Sequence, residues 1–226
     1  MVKFIKISFI TVSLANIHAV TVIAFLKFFP VLITPAMILG FFEGYGINKD
    51  YEGFEEISPN FFKAVIAAED AAFFDHNGFD IEAISKAIEY NKKHKDKKRG
   101  GSTISMQTAK NTFLWHGRNF IRKGFEAYFT FLIEAVWGKK RILEVYANVI
   151  ETGEGIYGVQ AAARKYFNKD ASELSRRQAA LIAAVLPNPK RWSPAAPTNY
   201  ISKRAYTIQA RMRPVSLKTI TDGEEK

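Results

Sequence analysis

The stretch Ala67-Ala68-Glu69-Asp70-Ala71-Ala72-Phe73-Phe74-Asp75-His76-Asn77-Gly78 sets two adjacent acids at the end of an apolar run. In that run Phe61, Phe62, Val65, Ile66 and Ala68 recur at helical spacing. Such a carboxylate meets the negative end of a helix dipole, and burial beside aromatic rings adds desolvation. Both favour a proton acceptor of the strength that general-base catalysis uses. Taken alone, Glu69-Asp70 reads as an ordinary acid pair closing a helix as readily as a catalytic one.

Three later blocks carry further chemistry. Arg99-Gly100-Gly101-Ser102-Thr103-Ile104-Ser105-Met106-Gln107-Thr108-Ala109-Lys110-Asn111 is a glycine loop running into a helix. Free backbone N–H groups at a helix start bind anions, and the Ser102 and Thr103 hydroxyls are added donors, although a plain glycine turn with an N-cap has the same pattern. Gln107 and Lys110 are three apart and share a face, with Asn111 beside them. Arg122 and Glu126 stand at i and i+4 with Lys123 between them, which fits a surface ion pair or a buried cation cluster. The aromatic residues Phe125, Tyr128, Phe129, Phe131 and Trp137 predict that this helix packs centrally. Lys139-Lys140-Arg141 opens the last block. The glycines Gly153, Gly155 and Gly158 then precede Ala161-Ala162-Ala163, a tight loop against which a small-residue helix can pack.

The elements that must hold these groups follow from caps and periodicity. Ser58 and Pro59 start a helix running to about Phe74; Gly78 marks a turn, and a second helix covers Ile81 to Lys93. The basic run from Lys92 to Arg99 has no apolar anchor and reads as a loop, after which a helix begins near Ser102 or Thr103. Further helices are predicted at about Asn119–Trp137, Lys140–Val149, Val159–Phe167, Arg176–Val185 and Tyr200–Met212, with Ser175 and Gln178 as a capping box for the fourth of these. No strand-length alternating run stands out, so the domain is predicted to be mainly α-helical.

At 226 residues the chain is long enough for one anchoring segment and one domain of roughly 180 residues. With no cysteine it has neither disulfides nor thiolate metal ligands. Between Lys86 and Arg141 there are 14 Lys and Arg against 4 Asp and Glu, a surplus equal to the net charge of +10 for the whole chain. Such a block suits nucleic acid, anionic lipid headgroups or a phosphorylated substrate, and charge alone does not separate these from a solvated basic face.

Ile7 to Leu26 contains no charged residue, and at ~1.5 Å per residue a helix of that length just crosses a ~30 Å hydrocarbon core. Lys3 and Lys6 before it favour an amino terminus in the cytoplasm. No small-x-small cleavage pattern follows, so an uncleaved anchor is expected rather than a signal peptide, with a buried core helix as the alternative. Phe28 to Phe42 is also apolar, but Pro30 and Pro35 argue against a second span, and this stretch is expected at the membrane interface.

In this order the blocks resemble the peptidoglycan glycosyltransferase family (glycosyltransferase family 51), in its monofunctional branch, over about residues 57 to 213. Glu69–Gly78 looks like the first motif of that family, Gly100–Asn111 the second, Arg122–Glu126 the third and Lys140–Asn148 the fourth. Gly158–Phe167 with Pro187-Asn188-Pro189-Lys190-Arg191-Trp192 resembles the closing segments. Met106 stands where a glutamine is usual, Ala147 where leucine is usual and Gly138 where serine is common; none of these removes a charged site residue.

The resemblance implies a lysozyme-like helical domain over 57–213 with a smaller membrane-apposed lobe. Before it come an anchor at 1–29 and a membrane-proximal connector at 30–56; a polar tail follows at 214–226. It implies Glu69 and Glu126 as the catalytic carboxylates, with Glu69 the base that takes the proton of an acceptor 4-hydroxyl. Ser102, Thr103, Gln107, Lys110, Asn111, Arg122, Lys123 and Lys190 would bind substrate, and Asp70, Phe73, His76 and Gly78 would support the first motif. Glu126 would either hold a divalent ion (Mg or Mn) on a diphosphate or orient Arg122 and Lys123; no cofactor is otherwise required. The expected partners are lipid II as donor, the growing glycan as acceptor, membrane lipid, and cell wall synthesis or division proteins as candidates, with no nucleic acid. The expected location is the bacterial inner membrane, single-pass, with the catalytic domain outside.

A glycosidase or lytic transglycosylase would also use a catalytic glutamate but would not need cations for a diphosphate. A membrane-tethered scaffold or nucleic-acid binder would show salt-sensitive binding that survives loss of Glu69 and Glu126. No Ser-x-x-Lys or Lys-Thr-Gly occurs, so no penicillin-sensitive transpeptidase activity is expected.

Overall fold

The computed structural model describes residues 2–217 apart from 95–98, 116 and 118, with the backbone alone described at 2–10 and 12. Lys95 to Lys98 of the basic loop and most of the expected polar tail therefore lie outside the described residues. Those described form ten α-helices and one small three-stranded sheet, as a mainly α reading predicts.

Helix α3 (Pro59–Glu69) begins where the Ser58 hydroxyl accepts from the Asn60 amide at 3.3 Å, with Pro59 in its first turn. It stops at Glu69, short of the expected Phe74. Asp70 leaves helical geometry (φ −159°, ψ 74°), and its buried carboxylate accepts from the Ile104 amide at 2.9 Å, the first residue of α5 (Ile104–Phe113). One residue thus ends one helix and starts another, and it leaves Glu69 half-buried at the lip of the break. Between them, α4 (Ile81–Lys93) has the predicted bounds, its first turn capped by the Asp80 carboxylate.

Helix α6 (Phe120–Val136) packs centrally, as expected, with its main contact on α5, but only part of its aromatic set is buried. Its buried residues are Arg122, Glu126, Thr130 and Ile133, a stripe that is mostly polar, whereas Phe125 and Phe131 are exposed. Helix α7 (Gly138–Val149) is the apolar one, burying Ile142, Leu143, Val145, Tyr146 and Ala147. Helix α8 (Val159–Phe167) brings Ala161, Ala162 and Ala163 into the core. Helix α9 (Arg176–Val185) starts at the predicted Ser175–Gln178 capping box and is buried from Ala179 to Val185, and α10 (Asn199–Arg211) packs on both α9 and α3.

Three strands of two or three residues escape an alternation search because that signal needs a run of about four residues or more. β1 (Asn48–Lys49) lies parallel to β3 (Ile156–Tyr157), which pairs antiparallel with β2 (Glu151–Gly153). Of the glycine series, Gly153 ends β2, Gly155 lies in the β2–β3 turn and Gly158 follows β3; a Cβ at Gly155 would lie 2.1 Å from the Tyr45 carbonyl oxygen.

At the amino terminus, α1 (Val2–Leu26) is followed by α2 (Pro35–Phe42), which Pro35 starts rather than breaks, with the Thr34 hydroxyl as its cap. Among the described residues no helix is long and apolar enough to cross a membrane. The expected span from Ile7 to Leu26 includes residues 7–10 and 12, whose side chains are outside the description. The end of α1 is fixed to the domain. Ile23 is buried and its carbonyl accepts from Trp137 Nε1 at 2.7 Å, while Arg141 Nη2 donates to the Leu26 carbonyl at 2.7 Å.

The Gly78 turn has φ +90°, and a Cβ there would sit 2.9 Å from Thr130 Cγ2 and 3.0 Å from Glu134 Cγ. Strain and contact act together, so Gly78→Ala is expected to cost about 1–3 kcal/mol, read as a lower thermal midpoint.

Candidate active site

Glu69 is held from two sides. Gln107 Nε2 of α5 donates to its Oε2 at 3.0 Å, and Arg204 Nη2 of α10 lies 3.4 Å from its Oε1. The Gln107 amide is oriented in turn by Tyr146, whose hydroxyl donates to Gln107 Oε1 at 3.4 Å. Burial, and then the negative charges of Glu69 and Asp70, hold that phenol well above its usual range, so it stays a donor and directs the amide nitrogen towards Glu69. The Glu69 side chain keeps 16% exposure, which leaves its carboxylate within reach of a substrate hydroxyl.

Behind Glu69 stands the rest of the first motif. Asp70 accepts from His76 Nε2 at 3.0 Å as well as from Ile104, and Phe73 is fully buried with Lys139 Nζ 4.5 Å over its ring. Lys139 also donates to the His76 carbonyl at 2.6 Å. Thr103, expected among the substrate contacts, is buried: its hydroxyl donates to the Gly78 carbonyl at 2.6 Å and accepts from the Met106 amide at 3.1 Å. It acts as the cap of α5 and ties the second motif to the first. Ser102, Gln107, Lys110 and Asn111 are half-buried. Met106 is buried, so this departure falls in the core and not in the cleft.

The third motif forms a compact charge cluster. Arg122 Nη1 donates to Glu126 Oε2 at 2.8 Å, Lys123 Nζ pairs with Glu126 Oε1, and Arg122 Nε is anchored on the Gly117 carbonyl at 2.7 Å. Glu126 is 3% exposed, and each of its oxygens receives a cation. That arrangement holds two positive charges side by side, one on each carboxylate oxygen. Lys110 faces the same cluster. Burial above all lowers its proton affinity; Glu126 opposes this, and the charges of Arg122 and Lys123 reinforce it.

Lys190 lies 3.7 Å from Glu151 and 3.6 Å from Glu43, with its ammonium 4.1 Å over the Tyr45 ring. Glu151 also acts electrostatically on Lys110, and burial raises its proton affinity. Sequence reading missed Arg204, Tyr146 and Glu151 as neighbours of the site. Arg204 is 135 positions from Glu69 and carries no local signal; the tyrosine lay inside a motif but reads there as a core residue.

A family model described as Transglycosylase matches residues 37–213. The chain is 54% identical over 194 residues to the biosynthetic peptidoglycan transglycosylase of Bdellovibrio bacteriovorus, covering 83% of this chain and 77% of that protein. It is 51% identical over 182 residues to the protein of the same name from Caulobacter vibrioides, covering 80% and 79%. For the Escherichia coli protein of that name the figures are 52% over 168 residues, 74% and 69%.

Proposed function

The chain belongs to the transglycosylase family, and we propose that it polymerises lipid II through an inverting displacement in which Glu69 is the base. It is a peptidoglycan glycosyltransferase that builds glycan strands for the cell wall. The observation that carries the mechanism is one cleft wall: α5 presents Gln107 to Glu69 and, one turn on, Lys110 to the Arg122–Lys123–Glu126 cluster.

Glu69 takes the proton of the acceptor 4-hydroxyl of N-acetylglucosamine as that oxygen bonds to the anomeric carbon of the donor N-acetylmuramic acid. The bond from that carbon to the diphosphate oxygen breaks, and its electron pair leaves with undecaprenyl pyrophosphate. The α-linked donor thereby becomes a β-1,4 linkage. Negative charge grows on the diphosphate, where Lys110, Arg122 and Lys123 stabilise it, with Glu126 holding the last two in place. Ser102, Gln107 and Asn111 contact sugar or phosphate oxygens, and Lys190 closes the far side on Glu151. A hydrolytic reading leaves the cation cluster without a purpose.

The same reading places the domain at the outer face of the inner membrane, with α1 as a single-pass anchor whose amino terminus is inside. Phe28, Phe29, Leu32, Ile33, Phe41 and Phe42 are exposed and fit a membrane-apposed lobe. Incubating the purified chain with lipid II, with and without a chelator, tests the proposal. Long β-1,4 glycan and released undecaprenyl pyrophosphate in both samples support it, whereas muropeptide release from sacculi without polymer would replace it with a lytic activity.

Lys110 adds a pH signature. Because burial lowers its proton affinity, the free enzyme loses this cation at a lower pH than an ordinary lysine would. The sign follows: kcat/KM falls as pH rises through that lowered value. Lys110→Arg, which keeps its charge, is expected to move the alkaline limb upward, as read from the pH profile of kcat/KM.

A further inference from the structure

Helix α10 carries a second set of cations beside Glu69. Ile201, Ala205 and Ile208 form its buried stripe. Next to that stripe, at the same helical spacing, Tyr200, Lys203, Arg204, Thr207 and Arg211 line a groove of about 280 Å³ that Ala68 closes at the end of α3. Lys203 and Arg211 are exposed, and among the described residues neither has a carboxylate within ion-pair distance. Arg204 joins the groove to the base. Its Nη2 lies 3.4 Å from Glu69 Oε1, while its Nε is buried with no hydrogen-bond partner among the described residues. A buried donor left unpaired is uncommon in a folded protein and marks a place where a further polar group belongs.

The diphosphate is assigned to Lys110, Arg122 and Lys123, which follow Gln107 on the α5 side of Glu69; the groove is on the α10 side, next to the other carboxylate oxygen. It calls for a different anion. The N-acetylated sugars of the strand are neutral, so the remaining negative charge on a peptidoglycan substrate is in the carboxylates of the peptides borne by its muramyl residues. Resting on the reading of the chain as a peptidoglycan polymerase, we propose that this groove binds a peptide carboxylate of the acceptor strand, with Lys203 and Arg211 as its cations. The muramyl residue next to the terminal acceptor sugar brings its peptide to this side of Glu69, and Tyr200, 58% exposed, offers the peptide an apolar flank. A contact this far from the reacting atoms is the same in ground state and transition state, so it acts on KM and leaves kcat unchanged.

Polymerisation is measured on lipid II with free peptide carboxylates and on lipid II in which they are amidated, a change that removes the charge and keeps the shape. For the unaltered chain KM is expected to be about three- to tenfold lower with the free carboxylates at equal kcat, the scale of two partly exposed ion pairs. In the Lys203→Ala, Arg211→Ala double variant the difference is expected to vanish, and in the Lys203→Arg, Arg211→Lys double variant to return. Both side chains are exposed, so neither pair of substitutions disturbs the core. Equal KM for the two substrates in the unaltered chain, or a difference that survives in the alanine variant, overturns the proposal. Absence of polymer from both substrates with the unaltered chain would instead defeat the polymerase reading itself.

Discussion

Glu69→Gln is expected to lower the rate of lipid II polymerisation by about 10²- to 10⁴-fold, the range that a positioned general base contributes. The substitution is nearly isosteric. A glutamine oxygen still accepts from Gln107 Nε2, so the α3–α5 contact survives, and only the 3.4 Å pairing with Arg204 loses its charge. That pair is partly exposed, and its loss is expected to move the thermal midpoint by no more than a few degrees. The measurement is initial polymerisation rate beside a melting curve for the same preparation. Near-normal turnover would remove Glu69 as the base, and a large loss of stability would show that the residue had been misread as functional.

Two substitutions in the cation cluster separate chemistry from structure. Among the described residues Lys110 has no carboxylate within ion-pair distance, so its ammonium is half-buried without direct compensation. Lys110→Ala is therefore expected to cost about 10²- to 10³-fold in kcat, the scale for losing one preorganised stabiliser of developing charge, with little change in stability. Glu126→Ala removes the partner of two cations, and Arg122 is only 8% exposed. Breaking a buried pair from one side costs about 3–5 kcal/mol, so this variant is expected to lose both activity and thermal stability. Unchanged polymerisation in the Lys110→Ala, Arg122→Ala double variant would end the assignment of a diphosphate to this cluster.

The exposed aromatic face of α6 connects the two halves of the molecule. A helix carrying Phe125, Tyr128, Phe129 and Phe131 reads as a core helix on composition, yet the buried face holds Arg122, Glu126 and Thr130. The inversion has a physical cause. The polar stripe is satisfied internally, by ion pairs and by the Thr130 hydroxyl donating to the Glu126 carbonyl at 2.6 Å, while Phe125 and Tyr128 line a cleft against α1 and Phe129 stacks on Phe113. An apolar face turned outward beside a segment expected in lipid no longer counts as a burial error.

The sequence by itself determined the helices whose ends are set by local chemistry. Asp80 caps α4, Ser175 and Gln178 box α9, and Gly158 precedes α8, so each begins where a reader of caps places it. It also determined the order of the charged blocks, because Arg122, Lys123 and Glu126 meet at i, i+3 and i+4 spacing that a helix alone enforces. Only the tertiary structure decided the end of α3, since Asp70 abandons the helix for an amide 34 positions later. It likewise decided that the Thr103 hydroxyl reaches the Gly78 carbonyl, that Arg204 reaches Glu69, and that β1 joins a sheet whose strands are too short to show a period. Each of these depends on a partner distant in the chain, and local propensity carries no record of such a partner until the fold brings it within hydrogen-bond distance.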